Sequence, residues 1–211
     1  MHCGSNVGRF PNQRIDLGVW AAIARHRVDA PDRDLVYRWT TMSATFESLQ
    51  RGPAVLYGSC GGIWVMTLFG KPSAAEMLLA RPALKAMLEK HPIGFPTLTW
   101  VAPQAGYSME ADARHAAADV TKEFNASILA MATLIEGQGF QAAAVRAIVA
   151  GLDLMARASA PKKVFADLPA TVAWCASMRP PKQGNASAPG EIVTALADIR
   201  KSLDAPADPR R

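Results

Sequence analysis

Ile128-Leu-Ala-Met-Ala-Thr-Leu-Ile135, followed by Glu136-Gly-Gln-Gly139 and then Phe140, is the stretch on which the fold turns. The run is almost continuously apolar. It lacks the alternation of a strand with one wet face, and it suits a central strand covered on both sides, as in parallel sheets. Beyond the glycine turn, Val145, Ile148, Val149, Leu152 and Met155 recur at 3.6-residue spacing and mark one stripe of a helix. A doubly covered strand feeding an amphipathic helix is the repeating unit of an α/β protein.

Read toward the N-terminus, the pattern repeats. Thr97–Ala102 reads as a strand, and Pro103–Tyr107 as a loop. Ser108 then stands before Met109-Glu-Ala-Asp112, as an N-cap with Glu110 and Asp112 in the favourable first turn. Ala113, Ala117, Val120 and Phe124 mark the buried face of that helix. Earlier still, Ser73-Ala-Ala-Glu76 is a capping box opening a helix that Pro82 splits in two and His91-Pro92 ends. Ala54–Leu56 and Ile63–Phe69 are short apolar runs flanking Gly58-Ser-Cys-Gly-Gly62, which reads as the turn of a β-hairpin.

Toward the C-terminus, Pro161 closes the long helix and Lys162–Ala166 forms a short last strand. Asp167-Leu-Pro169 caps a final helix reaching about Met178. The order β-β-α-β-α-β-α-β-α predicts an α/β fold in which an N-terminal β-hairpin is followed by βα alternations. Its sheet is mixed but mostly parallel and covered by helices. The domain spans residues 42–179.

The flanks read differently. Residues 180–190 are a linker by composition. Residues 191–211 hold a short amphipathic helix (Ile192, Leu196, Ile199, Leu203), able to dock back, and a fraying tail. Residues 1–41 carry six Arg, no Lys and four Asp. They read either as an upstream extension of the reading frame, with translation starting at Met42, or as an arm with one docking helix.

Charge separates function classes. The net charge of +5 divides into +2 for residues 1–41, +2 for residues 42–179 and +1 for residues 180–211. No patch or stripe of Lys and Arg forms, which argues against nucleic acid. No apolar run approaches the roughly 18–20 residues of a membrane span. Cys3, Cys60 and Cys175 are odd in number and widely spaced, and the four histidines form no HxH or HExxH pair. Neither a disulfide framework nor a metal site is expected, and free thiols suit the cytoplasm.

Gly139-Phe-Gln-Ala-Ala-Ala-Val-Arg146, Pro161-Lys-Lys-Val-Phe165 and Asp167-Leu-Pro-Ala-Thr-Val-Ala-Trp174 resemble the penultimate helix, final strand and closing "A-x-x-W" helix of small bacterial STAS/SEC14-like proteins, particularly those of myxobacteria. Gly62-Ile-Trp64 through Leu68 resembles their second strand. The resemblance covers about residues 53–178 and rests on structural motifs. It implies the fold of anti-sigma factor antagonists, in which a Ser or Thr opening the second helix is phosphorylated by a partner kinase. Ser108 holds the comparable place, within Gly106-Tyr-Ser-Met-Glu110, without the family's preceding Asp or following Gly.

Other groupings carry less. Gly137-Gln-Gly-Phe-Gln-Ala142 fits the glycine pattern of a dinucleotide turn but falls late in the chain, with no acidic residue at the right distance. Ser59 and Cys60 read as turn residues, since no GxSxG frame or nearby His activates them. His115 reads as a solvated partner of Asp119. Arg146 reads as an anion or partner contact, or as a solvent-facing arginine whose stem covers apolar surface.

The function expected is therefore a non-enzymatic, STAS-like interaction module with no cofactor. It offers Tyr107, Ser108 and Glu110 to a regulatory protein of kinase or anti-sigma type. The alternative is a small-ligand domain. In that reading Gly137, Gly139 and Arg146 receive a nucleotide, or a groove between helices receives a lipid-like molecule.

Overall fold

A computed structural model describes residues 44–105, 108–136, 140–181 and 187–204 of the 211. Residues 1–41, with their expected helix, lie outside the described residues, as do Tyr107, Gly137 and Gly139.

The protein is an α/β fold. Six strands lie side by side in the order in which the chain makes them: β1 (Glu47–Arg51), β2 (Val55–Cys60), β3 (Ile63–Leu68), β4 (Phe95–Val101), β5 (Ile128–Ile135) and β6 (Lys162–Phe165). The pairs β1/β2 and β2/β3 are antiparallel, and the remaining three are parallel. The crossover helices are α1 (Ala74–Leu78) with α2 (Ala80–Lys90), α3 (Ala111–Glu123) and α4 (Phe140–Ala156). Two more, α5 (Leu168–Ser177) and α6 (Pro189–Asp204), follow the last strand.

This strand order decides where the helices go. Successive crossovers that always step to the next strand on the same side, with one hand, must all lie on one face. Met77, Leu84, Met87, Ala113, Val120 and Val145 from α1–α4 accordingly share one core with Tyr57, Trp64, Phe95 and Ile135. The opposite face would be bare. It is covered instead by α5 and α6, whose Val172, Cys175, Ile192 and Leu196 pack on Cys60, Ile63, Val65, Leu98, Trp100 and Leu134. The C-terminal helix is therefore part of the core, with Ile192 and Leu196 fully buried.

Two readings of the N-terminal strands need correction. Gly58, Ser59 and Cys60 are the end of β2 and not a turn. The turn is Gly61-Gly62 alone, with φ of +55° and +79°, the two-residue hairpin that needs positive φ at both positions. Gly58 sits in the strand because β1 crosses close by: a Cβ there would lie 2.2 Å from Phe46 Cζ and 2.6 Å from the Glu47 carbonyl oxygen. The second correction is β1 itself, which was not expected. Glu-Ser-Leu-Gln-Arg has no β-branched or aromatic residue, and it becomes a strand only because β2 offers an unpaired edge.

The helix boundaries follow the caps. Ser73 Oγ accepts the Glu76 amide at 3.2 Å, and the Glu76 carboxylate accepts the Ser73 amide at 2.9 Å, completing the expected box. The break before Pro82 falls at Leu79, so the proline sits in the first turn of α2 where its missing N–H costs nothing. Asp167 caps α5 through the Ala170 amide at 2.8 Å. α4 ends where Arg157 turns left-handed at φ +48°.

Candidate functional site

Between the sheet and the α3–α4 layer lies a pocket of about 230 Å³. Its floor is the α1–α4 face of the four parallel strands. One register row crosses all of them: Met66 on β3, Thr99 on β4, Thr133 on β5 and Val164 on β6. Leu68 and Val101 extend the floor toward the C-terminal ends of the strands, and Met131 and Lys162 extend it toward the other end. The roof comes from Ala117 and Thr121 of α3 and from Val145, Ile148 and Val149 of α4. Three residues of the apolar stripe expected on α4 thus form the pocket roof, Val145 buried and Ile148 and Val149 half-buried, whereas Met155 of the same stripe is exposed and away from the pocket.

The end wall is placed by Glu76. Its carboxylate also takes the Ala54 amide at 2.7 Å, and its carbonyl oxygen takes the Tyr57 hydroxyl at 3.1 Å, so α1 is clamped to β2 and Met77 is presented to the pocket. Partial burial works against this carboxylate. The hydrogen bonds from Ser73 and Ala54 prevail and hold it below its ordinary range.

Four of the chain's nine methionines, Met66, Met77, Met109 and Met131, line the pocket. Unbranched thioethers adapt to the shape of whatever they enclose. Among the described lining residues there is no Asp, Glu, His or Cys; the charged ones are Lys162 and Lys163 on β6, both exposed.

The structure moves Ser108 from its expected role. α3 begins at Ala111 with Glu110 at the N-cap position, and no side chain caps it. Ser108 lies two residues outside, exposed, at the pocket wall. The reason is tertiary: Met109 packs against the core and Glu110 is held by an ion pair with Lys71, so the chain stays extended through this segment. Arg146 is exposed, one residue from the pocket-facing Val145. His115 meets the carbonyl of Ala111 through Nδ1 at 2.7 Å, the preceding turn of its own helix, and not Asp119.

Ser59 and Cys60 are buried in β2, and burial pushes the Cys60 thiol up to about 11. Cys175, buried beneath α5, is pushed up to about 12. Both are protonated core thiols. Among the described residues no group of three or more His, Cys, Asp or Glu could hold a metal ion, and no helix is long and apolar enough to cross a membrane.

Fold and pocket together define an open α/β sheet protein with one helix layer over a mainly apolar cavity. No protein-family model, no curated protein and no solved structure matches the chain.

Sequence reasoning did not single out Met66, Thr99 and Thr133, the centre of the pocket floor. A signal existed. Thr133 is the only hydroxyl in Ile128–Ile135, and Thr97 and Thr99 fall on one face of β4 in a strand that is otherwise apolar.

Proposed function

We propose that this protein is a non-enzymatic, STAS-like binding module whose pocket takes a small, mainly apolar molecule. The observation carrying this reading is a cavity of about 230 Å³, floored by four strands and roofed by two helices, with four adaptable methionines in its wall. A cavity of about 150 Å³ accommodates benzene, so this one suits a body on the order of ten non-hydrogen atoms. The described lining residues include no Asp, Glu, His or Cys, and the two lysines lie exposed at the edge, so what the pocket offers is an enclosing apolar surface. The regulatory-partner reading attaches to the same place. Exposed Ser108 borders the pocket and Glu110 follows it, so a protein docking on this segment would meet a surface shaped by the occupant.

Naphthalene is a suitable probe. With 13C-methyl methionine, its titration is expected to shift the methyls of Met66, Met77, Met109 and Met131. Met87, buried outside the pocket, stays in place. Ala117→Phe, which fills the roof, abolishes the shifts while retaining a cooperative melt. Saturation with naphthalene that moves none of the four methyls would overturn the reading.

A further inference from the structure

The pocket floor carries two hydroxyls that the fold itself does not use. Thr99 and Thr133 are direct register partners on β4 and β5, so their side chains stand side by side in the middle of the floor. Adjacent strands are about 4.8 Å apart, which puts both hydroxyls within reach of one polar group. Thr133 is 8% exposed, yet among the described residues neither hydroxyl has a hydrogen-bond partner. Its oxygen opens into the pocket, in contrast to Thr67 Oγ1, which is sealed in the core.

The neighbouring threonines show what the sheet and helices do when a hydroxyl is structural. Thr97, one step earlier on the same face of β4, donates to the carbonyl of Ala130 at 3.2 Å. Thr121 in the roof donates back to the carbonyl of Ala117 at 2.9 Å. Each satisfies its proton within the chain. Thr99 and Thr133 do not, and each keeps its hydrogen-bonding capacity for what enters the pocket, Thr133 from a buried position and Thr99 from a half-buried one.

The charge around the pair is equally informative. No carboxylate lines the pocket among the described residues, and the two lysines lie at its edge. Lys163 points to the other face of the sheet, over the Phe165 ring at 5.1 Å. Lys162 precedes Val164 by two residues, about 6.6 Å along the strand, and is exposed. Among the described lining residues no charged side chain stands in the register row of the threonine pair, so an ionised group there would be desolvated in a mainly apolar setting, which is unfavourable.

Resting on the pocket reading above, we infer that the ligand class is a neutral amphiphile, an apolar body bearing one hydroxyl or carbonyl group that the Thr99 and Thr133 hydroxyls receive together. Each threonine can donate to the ligand oxygen, and each can accept from a ligand hydroxyl. The methionines and the α4 aliphatics enclose the rest.

The experiment compares naphthalene, 2-naphthol and 2-naphthoate on the full chain and on Thr99→Val and Thr133→Val, with melting curves confirming each fold. In the unaltered protein 2-naphthol is expected to bind more tightly than 2-naphthoate. Each valine is expected to weaken 2-naphthol about 3- to 10-fold, the worth of one net hydrogen bond, while naphthalene binds equally or better. A ratio of 2-naphthol to naphthalene affinity that neither substitution changes overturns the inference and leaves the pocket reading standing. So does 2-naphthoate binding tightest with a strong salt dependence, which would place recognition at the lysines. Failure of all three probes to bind removes the pocket reading itself.

Discussion

Leu196 offers the sharpest test of how this sheet is closed. It lies on α6, beyond a segment that reads as a linker, yet it is fully buried against the face that α1–α4 leave uncovered. Leu196→Ala removes its buried side-chain carbons and leaves a cavity between α6, α5 and β2. Fully buried Leu→Ala substitutions cost about 2.7–5 kcal/mol, the higher values where the surroundings do not relax. Here α5 and the sheet are both rigid walls, so the upper half of that range is expected. Against a typical domain stability of about 5–15 kcal/mol, that is about a quarter or more of the total. Urea unfolding followed by tryptophan fluorescence should show a lower midpoint with an unchanged slope, since the unfolded surface is the same. Lys201→Ala, on the exposed side of the same helix, should move stability by less than about 0.5 kcal/mol. If Leu196→Ala also falls within about 0.5 kcal/mol of the parent, α6 is not part of the core and the account of the covered second face is wrong.

Four further outcomes follow from the same geometry. Glu76→Ala releases the amides of Ser73 and Ala54 together and should cost about 1–3 kcal/mol in denaturant unfolding, with the methyl of Met77 shifting by NMR. Because the folded Glu76 carboxyl is held below its ordinary value of 4.5, its stabilisation is complete above that value and is lost as pH falls through the folded titration. The midpoint difference between parent and Glu76→Ala should therefore shrink on acidification, and a difference that grows would refute the assignment. Asp167→Ala removes the cap of α5 and should cost about 0.5–2 kcal/mol, with earlier amide exchange in Leu168–Ser177. Cys60 and Cys175 should resist iodoacetamide at pH 8 in the folded protein, where about one Cys60 thiol in a thousand is ionised, and react at once in denaturant; rapid alkylation of the native state would contradict their burial.

Much of the candidate site was out of reach of the sequence for definite reasons. Ser108 has the composition of a cap, but Lys71 and the half-buried Met109 hold the chain extended past it, and both are tertiary facts. The α4 stripe was legible as apolar and amphipathic. That it roofs a cavity instead of filling a core depends on how far the helix stands from β5 and β6. The threonine pair depends on the register between β4 and β5, because a one-residue slip would turn one of the hydroxyls to the opposite face.

The residues alone determined the α/β class, the hairpin, the capping box, the break near Pro82 and the strand–helix alternation. Each of these is a local signal of periodicity, turn chemistry or capping, complete within about fifteen residues. Only the tertiary structure decided that β1 exists, that the strands line up in chain order and that α6 is core. It also decided that Thr99 and Thr133 meet inside a pocket. These depend on pairing between segments far apart in sequence, where the side chains on one strand say nothing about which edge, helix or register will face them.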